Sequence, residues 1–306
     1  MLSLVGSTGF VGSNILQNGS FDRVYHSSDI NTAYGTNPDL LVYAGVKAEK
    51  FLANQNPQKD FEGIKTAICN ITKINPKKLV LISTIDVYAV PNDVDESVIP
   101  QKDDLLPYGR NRLYLEEWVQ GNFQDYLIIR LPGLFGRNIK KNFIYDLIHY
   151  IPALLKQEKY FELAAVSNII KESYKLQENG FFQYVHAENE ETLLCKEFER
   201  LGFSALNFTD SRGVFQFYNL NNLWKDIMIA LDNKISVLNV ATEPVSICEI
   251  YKYLTDREFC NELSGKAPMY NFKSLYCNLY HGYDGYLYDK NDVLNDIKLF
   301  VEEQKK

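Results

Sequence analysis

Leu2-Ser-Leu-Val5-Gly6-Ser-Thr-Gly9-Phe-Val-Gly12-Ser-Asn-Ile-Leu16 is the stretch on which the fold turns. Its first four residues predict a short buried strand, and 10–17 predict a helix, so three glycines occupy a strand-to-helix turn. Glycine there permits a tight turn, lets backbone amides approach an anion and lets the helix pack closely on the strand. The helix N-terminus itself attracts negative charge. The spacing G-x-x-G-x-x-G departs from G-x-G-x-x-G, and in isolation the motif also reads as an ordinary glycine turn. Its place between a strand and a helix is what favours a phosphate-binding turn.

Working outward, apolar runs predict strands at 23–26, 39–43, 78–83 and 126–130, with helical patterns at 58–74 and 109–121. Such alternation is that of βαβ units and predicts an α/β, doubly wound parallel sheet. Residues 27–38 are too few for a helical crossover, so one helix of such a sheet, with or without one strand, is expected to be missing there. After Arg130 the pattern changes to helical stretches at 144–155, 188–201 and 223–231, followed by a strand at 237–240. Residues 156–210 carry no readable motif.

The 306 residues, 46% of them apolar, suffice for a substantial core. Thirty-two basic against 39 acidic residues, net −7, provide no overall positive field for a nucleic-acid backbone, so no nucleic-acid partner is expected. Apolar runs such as Leu79-Val-Leu-Ile82 are far shorter than the roughly 20 residues of a membrane span, so no membrane partner is expected either. The five cysteines are scattered without C-x-x-C spacing, and His26, His149, His186 and His281 are isolated, so neither a disulfide framework nor a metal centre is predicted. A chain opening directly on a strand leaves no room for a signal peptide, and a cytoplasmic location is expected. Aromatic residues are abundant, 21 Tyr and 18 Phe beside 2 Trp.

Ser83-Thr84-Ile85-Asp86-Val87-Tyr88 lies at the C-terminal end of a strand, where open α/β sheets bind their ligands. Further on, Pro107 precedes Tyr108-Gly-Arg-Asn-Arg112 at the start of a helix, which puts Tyr108 and Arg112 on one face at i,i+4. A fixed cation beside a phenol favours phenolate, making Tyr108 a candidate general base. A tyrosine and an arginine one turn apart are, in isolation, more often surface decoration. The second strand ends Arg23-Val-Tyr-His26-Ser27-Ser28, with Asp29 one or two places later than a ribose-binding acid. Asp29 suits a ribose 2′-hydroxyl, Ser27 with Arg23 nearby tolerates a 2′-phosphate, and Asp29 reads equally well as a turn acid. NAD and NADP both remain open.

In this order the motifs resemble the extended short-chain dehydrogenase/reductases, the nucleotide-sugar epimerase/dehydratase family. Gly6, Gly9 and Gly12 match its glycine motif, Tyr43-Ala44-Gly45 its N-A-G segment, Thr84 its catalytic Ser/Thr and Tyr108 the tyrosine of Y-x-x-x-K. Arg130-Leu-Pro-Gly-Leu-Phe-Gly136 and Val237-Leu-Asn-Val-Ala-Thr242 resemble later segments of the family. The resemblance implies a Rossmann-type domain at 1–136 plus about 214–242, and a smaller C-terminal substrate-binding lobe at about 137–213 plus 243–306. It implies an NAD or NADP cofactor held by Gly6, Thr8, Gly9, Phe10, Val11, Gly12, Ser27, Asp29, Tyr43, Ala44, Gly45, Tyr108, Arg112, Leu131 and Pro132. It implies a nucleotide-sugar substrate met by Thr84, Lys141, Asn142, Arg212 and Gln216, and a homodimer through the helix bearing Leu113, Tyr114, Leu115 and Trp118. Tyr108 would take the proton of a sugar hydroxyl, with Thr84 bound to the same oxygen, giving a keto intermediate that is reduced or epimerised.

Three positions depart from the pattern. Arg112 replaces the lysine; it can activate Tyr108 electrostatically but does not deprotonate readily. Ile85 stands where the 4,6-dehydratases have a general acid, which ranks epimerisation or reduction above dehydration and leaves Asp86 as an acid/base or a turn acid. Gly133 replaces an asparagine before the family's turn. An alternative reading is a catalytically silent NAD(P)-binding sensor or assembly subunit, and a third is a reductase of a small carbonyl compound.

Overall fold

A computed structural model describes residues 1–185 and 191–304. The chain begins with β1 (Leu2–Val5), α1 (Phe10–Asn18), β2 (Arg23–Tyr25), β3 (Leu40–Tyr43), α2 (Lys50–Gln55), α3 (Pro57–Ile74), β4 (Lys78–Thr84), α4 (Pro107–Asn122), β5 (Tyr126–Leu131) and β6 (Gly133–Phe135). It continues through α5 (Phe143–Ile148), β7 (Leu154–Lys156), α6 (Gln157–Ala164), α7 (Asn168–Ser173), β8 (Tyr174–Leu176), β9 (Phe181–Tyr184) and α8 (Glu191–Arg200). The remaining elements are β10 (Val214–Phe215), β11 (Phe217–Asn219), α9 (Leu223–Asp232), β12 (Val237–Asn239), β13 (Val245–Ser246), α10 (Ile247–Thr255) and α11 (Lys290–Gln304).

Two compact units result. The first comprises Met1–Ile139, Val214–Val245 and Pro268–Ile297; the second comprises Lys140–Gly213, Ser246–Ala267 and the chain from Lys298. This corrects the expected assignment of all of 243–306 to the lobe. Phe272 is fully buried in the core of the first unit, the Leu287 amide donates to the Ala241 carbonyl at 2.7 Å, and the Tyr280 hydroxyl donates to the Asp226 carbonyl at 3.1 Å.

In the first unit six parallel strands lie in the order β12-β5-β4-β3-β1-β2. Leu79, Val80 and Leu81 are completely buried although they point alternately to the two faces, as expected of a parallel sheet covered on both sides. One face packs Leu4, Val42, Val80 and Ile129 with Ile15 of α1 and Leu223, Ile227 and Ala230 of α9. The other packs Val5, Leu41, Leu79 and Leu81 with Ile64, Ala67 and Ile71 of α3 and Leu115 and Val119 of α4. Helices on both faces make the sheet doubly wound. Between β2 and β3 there is only a short 3-10 turn, Ile30–Ala33, as the spacing predicted.

A buried polar network ties α4 to β4 and β5. Glu116, with no exposed surface, accepts from Arg130 at 2.7 Å and from the Ser83 hydroxyl at 2.5 Å, and Arg130 also donates to the Tyr88 hydroxyl at 2.6 Å.

The second unit contains the antiparallel sheet β7-β9-β8. Much of the aromatic excess packs here: Tyr160 stacks on Phe182 at 3.6 Å between ring centroids, beside Tyr174, Tyr184 and Phe198. The helix expected over 144–155 is interrupted, because α5 ends at Ile148 and Pro152 cannot continue it; Leu154–Lys156 is a strand instead. The expected helix at 188–201 is α8, with residues 186–190 outside the described residues. Among the described residues no helix is long and apolar enough to cross a membrane.

Replacing Arg130 with methionine strands the Glu116 carboxylate in the core. Urea unfolding is expected to show a loss of about 3–5 kcal/mol, the cost of breaking one side of a buried pair; an unchanged midpoint would remove the network from the stabilising contacts.

Candidate active site

Gly6 ends β1 with φ +92, and a Cβ on it would lie 2.4 Å from the Ala44 carbonyl oxygen; one on Gly12 would lie 2.1 Å from that of Gly6. The turn is therefore closed against the end of β3 and α1 is packed against the turn. Gly9 is the N-cap of α1 and no side chain caps it, while Thr8 and Gly9 are exposed. A bare helix N-terminus behind a glycine cradle fits a phosphate group. Phe10 and Val11 are half-buried in the first turn of α1; Leu131 is buried and Pro132 half-buried at the end of β5.

Two cofactor expectations change. The Tyr43 side chain points into the core, where its hydroxyl accepts from Asn70 at 3.3 Å and burial pushes its pKa to about 12. Only the Tyr43 backbone, with Ala44 and Gly45, borders the turn. Asp29 folds back on its own loop, accepting from the His26 amide at 2.8 Å and lying 3.3 Å from the His26 ring, which is the turn-acid reading; Ser27 is exposed beside it.

At the C-terminal end of β4, the 3-10 turn Ile85–Val87 meets the first turn of α4. A Cβ on Gly109 would sit 2.0 Å from the Asp86 carbonyl oxygen, so this approach requires glycine. It sets the Tyr108 phenol beside the Thr84 hydroxyl. Thr84 Oγ1 also accepts from the Asp86 amide at 3.2 Å, and the Asn54 side chain on α2 accepts from the Tyr108 amide at 2.9 Å.

Arg112 lies over the Tyr108 ring, 4.0 Å from its centroid. Its Nη1 pairs with Asp60 on α3, and its Nη2 donates to the Lys47 carbonyl at 2.6 Å. Burial pushes the Tyr108 phenol above its ordinary value; Arg112, the Thr84 hydroxyl and Lys50 pull it down, and Asp86 adds to the rise. Arg112 thus acts in the activating direction that the spacing predicts, and desolvation opposes it.

Lys50, to which no motif in the sequence points, completes the site from α2. Its Nζ lies 2.7 Å from Asp86 Oδ1 and donates to the Tyr270 hydroxyl at 3.2 Å. Tyr270 stacks on Phe215 with ring centroids 5.7 Å apart. No local spacing announces this cluster, whose members are separated by 36 and 220 residues. Asp60 escapes a sequence reading for the same reason.

The substrate residues fare differently. Gln216 is corrected to a structural role: it is buried, its Nε2 donates to the carbonyls of Thr242 at 2.6 Å and Phe272 at 2.9 Å, and its Oε1 accepts from the Phe272 amide at 2.9 Å. Arg212 belongs to a loop clamp of the second unit, paired with Asp210 at 2.7 Å and Glu262 at 3.4 Å. Asn142 caps α5, accepting from the Ile144 and Tyr145 amides at 3.0 and 3.3 Å, and Lys141 is exposed next to it. Among the described residues no group of three His, Cys, Asp or Glu could hold a metal ion; His186 lies outside them.

No protein-family model and no curated protein matches the sequence. Solved structures do match in shape. A dTDP-4-dehydrorhamnose reductase ortholog from Clostridium acetobutylicum has a TM-score of 0.63 at 12% identity, over 100% of this chain and 99% of that one. UDP-glucose 4-epimerase from Thermotoga maritima, solved with UDP-glucose, has a TM-score of 0.63 at 14% identity, over 99% and 98%. RMD from Pseudomonas aeruginosa, complexed with NADPH, has a TM-score of 0.58 at 14% identity, over 99% of both chains. The chain shares its fold with these reductase and epimerase structures.

Within this fold the Gly109 contact is open to a direct comparison. Gly109→Ala is expected to lower stability by about 1–3 kcal/mol through overpacking against backbone. Gly121→Ala, on the same helix with nothing within 4 Å of the new methyl, is expected to gain about 0.5–1 kcal/mol. Thermal unfolding of the pair decides; equal shifts would count against the close approach.

Proposed function

We propose that this chain is an NAD(P)-dependent oxidoreductase or epimerase acting on a nucleotide-linked sugar through a keto intermediate. The observation that carries the proposal is the Thr84–Tyr108 pair at the C-terminal end of β4, in the same unit as the glycine cradle of Gly6, Gly9 and Gly12. The reductase and epimerases with this fold, which carry NADPH, NADP or NAD and nucleotide sugars in their solved complexes, support the cofactor and substrate class.

When bound, the nicotinamide supplies or accepts the hydride. The 6–12 turn and the N-terminus of α1 would hold its pyrophosphate, and the backbone at 43–45 borders that turn. Thr84 would hydrogen-bond the reacting oxygen of the sugar. Tyr108 would exchange its proton with that oxygen, donating it in reduction and taking it in oxidation. Arg112, held by Asp60, would stabilise the phenolate left behind without taking part in proton transfer. Ile85, 2% exposed and part of the core, supports ranking 4,6-dehydration below reduction and epimerisation.

The proposal extends to a cytoplasmic homodimer. All five cysteines are free, which suits a reducing compartment. Leu113 and Leu115 are buried within the unit, but Tyr114 on α4 is 44% exposed beside Phe61 of α3, leaving an aromatic face for a partner copy.

The test is turnover of UDP-, GDP-, CDP- and dTDP-linked keto-sugars with NADH and NADPH, followed by nicotinamide absorbance. Wild type is expected to reduce at least one, and Tyr108→Phe to lower its kcat by about 10²–10⁴-fold with the fold intact. Unchanged turnover in Tyr108→Phe would dismiss Tyr108 as the acid.

A further inference from the structure

A lysine one turn after the catalytic tyrosine could exchange a proton with solvent, whereas Arg112 cannot. Its guanidinium is moreover committed to Asp60 and the Lys47 carbonyl. The structure contains another route. Tyr108 is set beside Thr84 by the close approach of Gly109 to the Asp86 carbonyl, Thr84 Oγ1 lies 3.5 Å from Asp86 Oδ2, and Asp86 Oδ1 lies 2.7 Å from Lys50 Nζ. The Lys50 side chain is 41% exposed, so the route begins at a buried phenol and ends at water.

We propose that Thr84, Asp86 and Lys50 are the proton path of Tyr108, with Lys50 as the positioning and relay group that the arginine at 112 cannot be. The inference rests on the reading of Tyr108 as proton donor. In the reducing direction the Tyr108 O–H bond breaks and its proton goes to the substrate carbonyl oxygen as hydride from the reduced nicotinamide reaches the carbon. Lys50 first protonates Asp86, and the carboxyl then gives a proton to Thr84 as Thr84 gives its own to the phenolate. Lys50, left as an amine, takes a proton from solvent; in the oxidising direction each transfer reverses. Tyr270 closes a triangle with Lys50 and Asp86, its hydroxyl 3.2 Å from Nζ and 3.4 Å from Asp86 Oδ1. The charged and titratable groups facing Tyr108 are thus Lys50 of α2, Asp86 of the 3-10 turn, Arg112 of α4 with Asp60 of α3 behind it, and Tyr270 behind Lys50.

The test needs no substrate. 3-Fluorotyrosine is placed at position 108 of the full chain and titrated by fluorine NMR. Lys50→Met is expected to raise its apparent pKa by about one unit and Asp86→Asn to lower it, because the two remove opposite charges. Lys50→Arg is expected to keep the wild-type titration but to broaden the line at its midpoint, because the charge stays while proton exchange slows. The proposal is overturned if Lys50→Met leaves the titration in place, if both substitutions move it in the same direction, or if exchange in Lys50→Arg remains as fast as in wild type. Should these shifts occur in a protein that reduces none of the sugars, the substrate reading fails and the proton path stands. Loss of turnover in Tyr108→Phe with no effect of the Lys50 variants would instead sink the proton path and leave the substrate reading standing.

Discussion

The site depends on one close contact, between the first turn of α4 at Gly109 and the Asp86 carbonyl after β4. A side chain at 109 would lift α4 away, and the Tyr108 phenol would leave Thr84. Because the helix comes so near, Tyr108 is 7% exposed and loses most of its hydration. The same approach sets Asp86 against Lys50 and places the end of the sheet, the phenol and the ion pair in one cluster. Behind it the buried Glu116–Arg130 pair fixes α4 to β5.

Within that cluster, desolvation and charge compete. Sequence spacing placed Arg112 beside Tyr108, and the structure agrees, but the cation sits over the ring face with its charge shared by Asp60. Burial raises the phenol while Arg112 pulls it down. The net charge of −7 imposes a related constraint. An anionic ligand gains nothing from the overall field, so its affinity must come from the backbone amides of the 6–12 turn and from α1.

What was legible in the sequence was local. The glycine turn after β1, the apolar strands, the short link between β2 and β3, and Tyr108 at the start of α4 each follow from spacing and residue type. What was not legible depends on long-range pairing. Lys50 meets Asp86 and Tyr270 across 36 and 220 residues, and Asp60 meets Arg112 across 52. Gln216 has the composition of a ligand residue, yet the return of Pro268–Ile297 to the first unit puts Phe272 against it and uses up its amide. Asp29, one or two places late for a ribose-binding acid, and Tyr43 illustrate a similar limit: one side chain closes its own loop and the other fills the core.

The most direct measurement is a crystal structure of the protein with NADPH. The pyrophosphate is predicted to lie on the amides of the 6–12 turn, with the nicotinamide ring beside the Tyr108 hydroxyl and Thr84, and Arg112 still paired to Asp60. A dinucleotide anchored away from the glycine turn, or a nicotinamide out of reach of Tyr108, would contradict the account.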